Sequence, residues 1–249
     1  MKRSRGFSLI ELLCVIGIIA IMSAILMPVM TSARKAAQAG QCRSNLKQIA
    51  KAFEVYTSDY AGCYPCAADD LGTQQDESDP CLWMGRHWRW PMKKHLVFGG
   101  VYSDSDPNGA NQITGITRTI LACPADPNPA DQYDKTSYGY SFAFYHTPDQ
   151  MTSMTRANTL AKSEPDESLR PKVVNTTMVR YPGKKALVAE WISGHSEVKA
   201  NWWSWGGERN YLFADGHVVC LSAKRIHPSV DNFPDINLTT GGVAGKDID

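Results

Sequence analysis

Residues 5–11 read Arg-Gly-Phe-Ser-Leu-Ile-Glu, and residues 12–30, LLCVIGIIAIMSAILMPVM, carry no charge. At about 1.5 Å per residue, a helix of that length spans roughly 28 Å, close to the ~30 Å hydrocarbon core of a bilayer. Lys2, Arg3 and Arg5 precede it. By the positive-inside bias they hold the amino terminus in the cytoplasm and send the rest of the chain across. Arg34 and Lys35 on the far side weaken that bias slightly. Glu11 is the anomaly, because a carboxylate within an apolar span is costly and marks function.

Three readings compete for this segment. A secretory signal peptide has a shorter apolar stretch, roughly 7–15 residues, before a small-x-small cleavage site. Thr31-Ser32-Ala33 supplies such a site, but the stretch is too long and Glu11 would sit inside it. A plain transmembrane anchor explains the length and leaves the glutamate unexplained. The third reading explains both. A basic leader, then Gly6-Phe7-Ser8-Leu9-Ile10-Glu11, then an uninterrupted apolar helix resembles the class III signal of type IV pilins and type II secretion pseudopilins.

The resemblance covers about the first 30 residues and carries specific implications. A prepilin peptidase would cut after Gly6, removing a leader of residues 1–6, and the new terminus, Phe7, would be N-methylated. Pro28 would kink the helix. Glu11 would set filament register: once helices bundle, the cationic amine of Phe7 in one subunit and the Glu11 carboxylate of another are both buried. Two buried opposite charges are tolerable only as a pair, and such a pair fixes register more than it adds net stability.

Residues 31–61 extend the same helix. Ala39, Cys42, Leu46, Ile49, Ala50, Phe53 and Tyr56 recur at three- and four-residue steps, which is one face of an amphipathic helix. The periodicity predicts one helix from about Phe7 to Tyr60, membrane-spanning over 7–30 and amphipathic over 31–61, ended by Gly62 as the C′ residue and by Pro65. Polar, Asp-rich loops are expected at 66–82, 103–115 and 126–134. Strand signals follow at 137–145, where aromatic and small residues alternate, and at 185–191 and 210–221. Asp215-Gly216 between two apolar runs predicts a type I′ hairpin. The fold class is therefore α+β and pilin-like. A long amino-terminal helix packs on an antiparallel sheet in a head over 62–249, with a loose tail from Pro234.

Within the head, further motifs resemble a branch of exported pseudopilin-like proteins: Cys42-x-x-Asn45-Leu46-Lys47-Gln48-Ile49, Cys123-Pro124-Ala125-Asp126 and Asn210-x-Leu212-Phe213-Ala214-Asp215-Gly216-His217. That branch often carries a histidine ten residues before the aspartate of its Asp-Gly pair. Here Trp205 occupies the position.

Six of the seven cysteines, Cys42, Cys63, Cys66, Cys81, Cys123 and Cys220, lie outside the apolar run. In an exported head they are disulfide candidates, and sequence does not choose among their pairings. Cys42 is within reach of Cys123 or Cys220, which would staple rod to head. Cys63-Tyr64-Pro65-Cys66 has the spacing of a redox motif, but it follows a helix carboxyl terminus, where the dipole disfavours a thiolate. A zinc site built from Cys63, Cys66, Cys81 and a histidine lacks the second C-x-x-C pair that would make it specific.

Two tryptophan clusters, Trp83, Trp88 and Trp90, then Trp202, Trp203 and Trp205, either fill the interface between loops and sheet or present a ligand surface. The second cluster, among Asn201, Ser204, Gly206 and Gly207, is expected to be the more exposed. Glu190 and Asp215 are expected on segments of one sheet; paired carboxylates can do acid–base work or hold calcium, but Asp215 is more simply the first turn residue of its hairpin. The acidic, glycine-rich tail has oxygens suited to calcium without a specific motif for it, and no cofactor is expected. No catalytic motif stands out, so an enzyme is not expected.

Net charge is +1, and removing residues 1–6 leaves 23 basic against 25 acidic residues, which gives no support to nucleic-acid binding. The resemblance implies a pilin-like structural subunit anchored in a bacterial inner membrane with its head in the periplasm. Its partners would be the prepilin peptidase and methylase, an inner-membrane assembly platform, other pilin-like subunits and, before assembly, the lipid bilayer. The other reading is a tethered or surface-displayed module that uses the same export signal, never polymerises and binds a glycan or another envelope ligand.

Overall fold

The computed structural model describes residues 8–66, 88, 91–96, 120–126, 136–160, 167–169 and 171–249. Gly6, Phe7, Cys81, Trp83, Trp90, the expected loop at 103–115, and all but the first residue of those at 66–82 and 126–134 lie outside the described residues.

Helix α1 (Leu9–Asp59) is a single 51-residue element. Ser8 precedes it in extended conformation, and the Ser8 N–H donates to Glu11 Oε2 at 3.0 Å, so the glutamate covers a backbone donor outside the helix. The helix runs on through Pro28. Proline has no N–H for the carbonyl one turn back, and the following hydroxyls fold onto the backbone: Thr31 Oγ1 donates to Pro28 O at 2.9 Å and Ser32 Oγ to Val29 O at 2.8 Å. At the far end Gly62 N–H donates to Thr57 O at 2.7 Å, closing a Schellman-type cap. Gly62 was expected at C′, but Ala61 takes that place with φ 51°, and Gly62 follows at φ 82°.

The two halves of α1 differ in what they touch. Residues 8–37 are exposed all round, whereas Cys42, Asn45, Leu46, Ile49, Ala52, Phe53 and Tyr56 are buried at the expected three- and four-residue steps. That face packs on a four-stranded antiparallel sheet ordered β1 (Tyr138–Tyr140), β2 (Ala186–Glu190), β3 (Glu208–Phe213), β4 (Val218–Ser222). This is the α+β, pilin-like architecture that the sequence predicts.

All five residues of β2 are buried, so both sheet faces are covered. Tyr138, Tyr140, Val188 and Leu212 join the α1 cluster. Ala186, Ala189, Tyr211, Phe213 and Leu221 form a second cluster with Ile226 and Ile236. A register shift between Ala186 and Val188 adds one residue to β2, which places Leu187 and Val188 in the same cluster.

Three sequence expectations are corrected here. The alternating stretch 137–145 is a strand only over Tyr138–Tyr140; Phe142–Tyr145 is a 3-10 turn. All nine of its residues are buried, so the alternation of aromatic and small residues reports packing on two sides, not one wet face. The hairpin between β3 and β4 is not type I′. Only Gly216 has positive φ (86°), Gly216 N–H donates to Phe213 O, and Phe213 N–H donates to His217 O. This is a three-residue loop with glycine in the left-handed position. Asp215 stays at negative φ because its Oδ1 accepts from the His217 N–H at 3.1 Å.

Nor is the tail loose. Pro234, Asp235, Ile236, Asn237, Leu238, Val243 and Asp247 are buried. The tail returns to β2, where Asp247 N–H donates to Lys184 O at 2.8 Å and Asp247 Oδ2 accepts from Ala186 N–H at 2.8 Å. Its polar residues read as solvated, but they satisfy the fully buried ammonium of Lys185.

Candidate functional site

Between Leu9 and Met30, fifteen large apolar side chains are exposed, from Val15 at 47% to Leu9 at 82%. Burying each is worth about 1.5–3 kcal/mol, so leaving the whole segment in water would cost tens of kcal/mol. The exposure runs round the full circumference. Such a helix calls for lipid or a bundle of like helices, not for one face of its own head. It is long and apolar enough to cross a membrane. Glu11 is exposed and, among the described residues, bonds only to Ser8, so its charge is available to a neighbouring molecule.

Below this segment, one face of α1 clamps the 120–126 loop over three successive contacts. Gln38 Nε2 donates to Pro124 O at 3.1 Å, Cys42 is disulfide-bonded to Cys123, and Asn45 Nδ2 donates to Ala122 O at 3.1 Å. The steps of four and three put all of them on one helix face. The bridge closes a loop of 81 residues with Cα atoms 5.1 Å apart. By the loop-entropy model that constraint is worth about 4–5 kcal/mol. The staple expected between rod and head is therefore Cys42–Cys123.

The remaining cysteines behave differently. Cys220 and Cys63 carry thiols, so neither belongs to a bridge. Burial pushes the Cys220 thiol up to about 11, which makes it unreactive. Cys63 pairs through its backbone with Asn175 just past the end of α1, and Cys66 is buried.

Beside the disulfide lies a cluster that the scattered histidines of the sequence did not reveal. Glu190, at the end of β2, accepts from Asn210 N–H at 2.8 Å and from Asn210 Nδ2 at 2.9 Å. His195 Nε2 sits 2.8 Å from Glu190 Oε1 and 3.5 Å from Cys123 Sγ. The groups come from four separate segments, so no local spacing announces them. Glu190 and Asp215 belong to neighbouring segments of one sheet but do not pair. Asp215 lies past Phe213, opposite the Ala186 end of β2, whereas Glu190 is at the other end.

The described tryptophans belong mostly to the core. Trp88 is fully buried, stacks on Phe53 at 5.5 Å and donates from Nε1 to Tyr138 O at 3.0 Å. Trp202, expected to be exposed, is buried edge-on against Trp191 at 5.7 Å, with Trp203 packed edge-on against it at 5.1 Å. Buried Arg209 explains the difference. Its guanidinium donates to the carbonyls of Ala200 and Asn201 and draws the polar loop inward. Trp205 remains 37% exposed. In the tail, Asp247 is committed to Lys185, and Asp249 is an exposed carboxylate 3.0 Å from His227 Nε2.

Comparison with known proteins agrees with this arrangement. Residues 1–27 match the family model of the prokaryotic N-terminal methylation motif. The type IV wide pilus major component PilA4 of Thermus thermophilus is 44% identical over 59 residues, 24% of this chain and 45% of that protein. The chain thus spans less than half the length of that relative. No solved structure matches. With a methylation motif leading into a bare apolar helix that continues into an antiparallel α+β head, the chain is similar to type IV pilins.

Proposed function

We propose that this chain is a structural subunit, cut after Gly6, N-methylated on Phe7 and assembled through α1 into a type IV pilus or a type II secretion-type filament. Before assembly the exposed half of α1 sits in the inner membrane, with the head on the periplasmic side. During assembly that half passes from lipid to a bundle of like helices, and Glu11 meets the Phe7 amine of a neighbouring subunit. The prepilin peptidase and methylase, the assembly platform and other pilin-like subunits are the partners this reading requires.

One observation carries the proposal: α1 is a single helix whose first half is exposed all round among the described residues while its second half is built into the head. The relative's role as a pilus major component supports the same reading. Mass spectrometry of the amino-terminal peptide from native envelopes tests it. A peptide beginning with N-methylated Phe7 is expected. An intact leader, or a terminus near Arg34, would overturn the proposal.

A further inference from the structure

We propose that, with the Cys42–Cys123 disulfide reduced, the chain binds one zinc ion at Cys42, Cys123, Glu190 and His195. The donor atoms of these four residues lie within 4.8 Å of one another. They comprise two sulfurs, one imidazole nitrogen and one carboxylate oxygen, a set suited to tetrahedral zinc. In such a site the donors stand about 3.3–3.8 Å apart, given zinc–ligand bonds of about 2.0–2.3 Å. His195 Nε2 is already 3.5 Å from Cys123 Sγ and 2.8 Å from Glu190 Oε1. Breaking the disulfide lets the two sulfurs separate, and the imidazole and carboxylate, now 2.8 Å apart, must part by about 0.5 Å to seat the ion.

The surroundings are built for fixed ligands. Glu190 is 2% exposed and the His195 side chain 5%. Asn210 donates to both Glu190 oxygens, a second shell that orients the carboxylate. Cys123 is held by Ser137, whose Oγ accepts the Cys123 N–H at 2.9 Å, and Cys42 by its place on α1. The loop carrying His195 comes close at Gly194, where a Cβ would lie 3.1 Å from that of Ala125, so this glycine lets the imidazole approach the cysteine loop. Metal and disulfide exclude each other, and either one ties α1 to the head. The zinc form would hold rod and head together before oxidation.

A tertiary phosphine supplies the reduction: with one water, the disulfide becomes two thiols and the phosphine becomes its oxide. Metal binding then displaces the thiol protons. Cobalt(II) is the probe, added to the reduced full chain in detergent micelles. The expected result is one equivalent bound with the visible bands of tetrahedral cobalt and a thiolate charge-transfer band. The disulfide form should bind none at this site. His195→Ala should weaken binding at least tenfold, and zinc should slow iodoacetamide labelling of Cys42 and Cys123 specifically. Bands that His195→Ala leaves unchanged would place the cobalt on other thiols and overturn the proposal. So would a reduced chain that loses its circular dichroism without recovering it on metal addition, or labelling of Cys42 and Cys123 that zinc does not slow.

Discussion

Lys185 and Asp247 form an ion pair shut off from solvent, with Nζ 3.0 and 3.2 Å from the two carboxylate oxygens. The pair closes the carboxyl-terminal segment onto β2, and Ile236 O accepts a further bond from Nζ at 3.2 Å. Burial lowers the Lys185 pKa and the Asp247 charge opposes that shift. Removing one partner strands the other charge in a dry site, which typically costs about 3–5 kcal/mol. Asp247→Ala should therefore lower the urea midpoint by an amount of that order. The Lys185→Met, Asp247→Leu double variant should lose less than Asp247→Ala, since no charge is then left unpaired. Equal losses would show that packing of the tail, not the stranded ammonium, dominates.

The staple is tested by Cys42→Ser. Losing the crosslink across 81 residues should cost about 2–5 kcal/mol. Thermal unfolding of the wild type with and without reductant should differ by the same amount. Cys220→Ser should change little under either condition, because Cys220 is not bridged.

His146 and Asp235 give the head opposed pH dependences. Burial pushes His146 down to about 4, against the pull of the Phe142 and Leu169 carbonyls. The unfolded chain therefore takes a proton that the native chain refuses, and stability is lost as pH falls from 6.5 through 4. The loss is about 3 kcal/mol at about 1.4 kcal/mol per pH unit. Burial raises Asp235 to about 6, with Arg156 and Asn237 opposing. There the native chain holds the proton more tightly, so stability is gained as pH falls from 6 through 3.8. The two effects nearly cancel in the wild type. Asp235→Asn should steepen the loss of stability between pH 6.5 and 4, and His146→Gln should reverse its sign relative to wild type. Unfolding midpoints measured across that range decide the matter.

What could be read in advance was what local chemistry fixes. The long helix follows from an uncharged run joined to a three- and four-residue period, and the β3–β4 hairpin from Asp215-Gly216 between apolar runs. The exact turn escaped because Asp215 binds its own backbone and needs no positive φ. The packed tail escaped because its polar residues look solvated until Lys185 is placed beneath them. The cluster of His195, Glu190 and Cys123 escaped because its members meet only when the end of β2, the loop after it and the 120–126 loop converge. Reach singled out Cys42 but left Cys123 and Cys220 equal; the geometry of the 120–126 loop chose between them.

The tryptophans separate core from surface. Trp88→Ala should cost about 3–5 kcal/mol, as expected for truncating a fully buried ring that stacks on Phe53. Trp205→Ala should change stability by less than about 0.5 kcal/mol. Chemical denaturation reads both. Gly139→Ala should also destabilise, by about 1–3 kcal/mol, because its Cβ would meet the Trp191 ring at 2.7 Å.

Glu11 has two separable jobs, one local and one between subunits. Locally it accepts the Ser8 N–H at 3.0 Å, a contact worth about 1 kcal/mol to the helix start. Gln at this position keeps an acceptor for that bond and loses the charge; Ala loses both. If the charge pairs with the Phe7 amine of a neighbour, Glu11→Gln and Glu11→Ala should both abolish filaments in electron micrographs. In both, a processed chain should still appear on immunoblots. A Gln variant that assembles normally while the Ala variant does not would leave only the capping role. Normal filaments from both would remove Glu11 from assembly altogether.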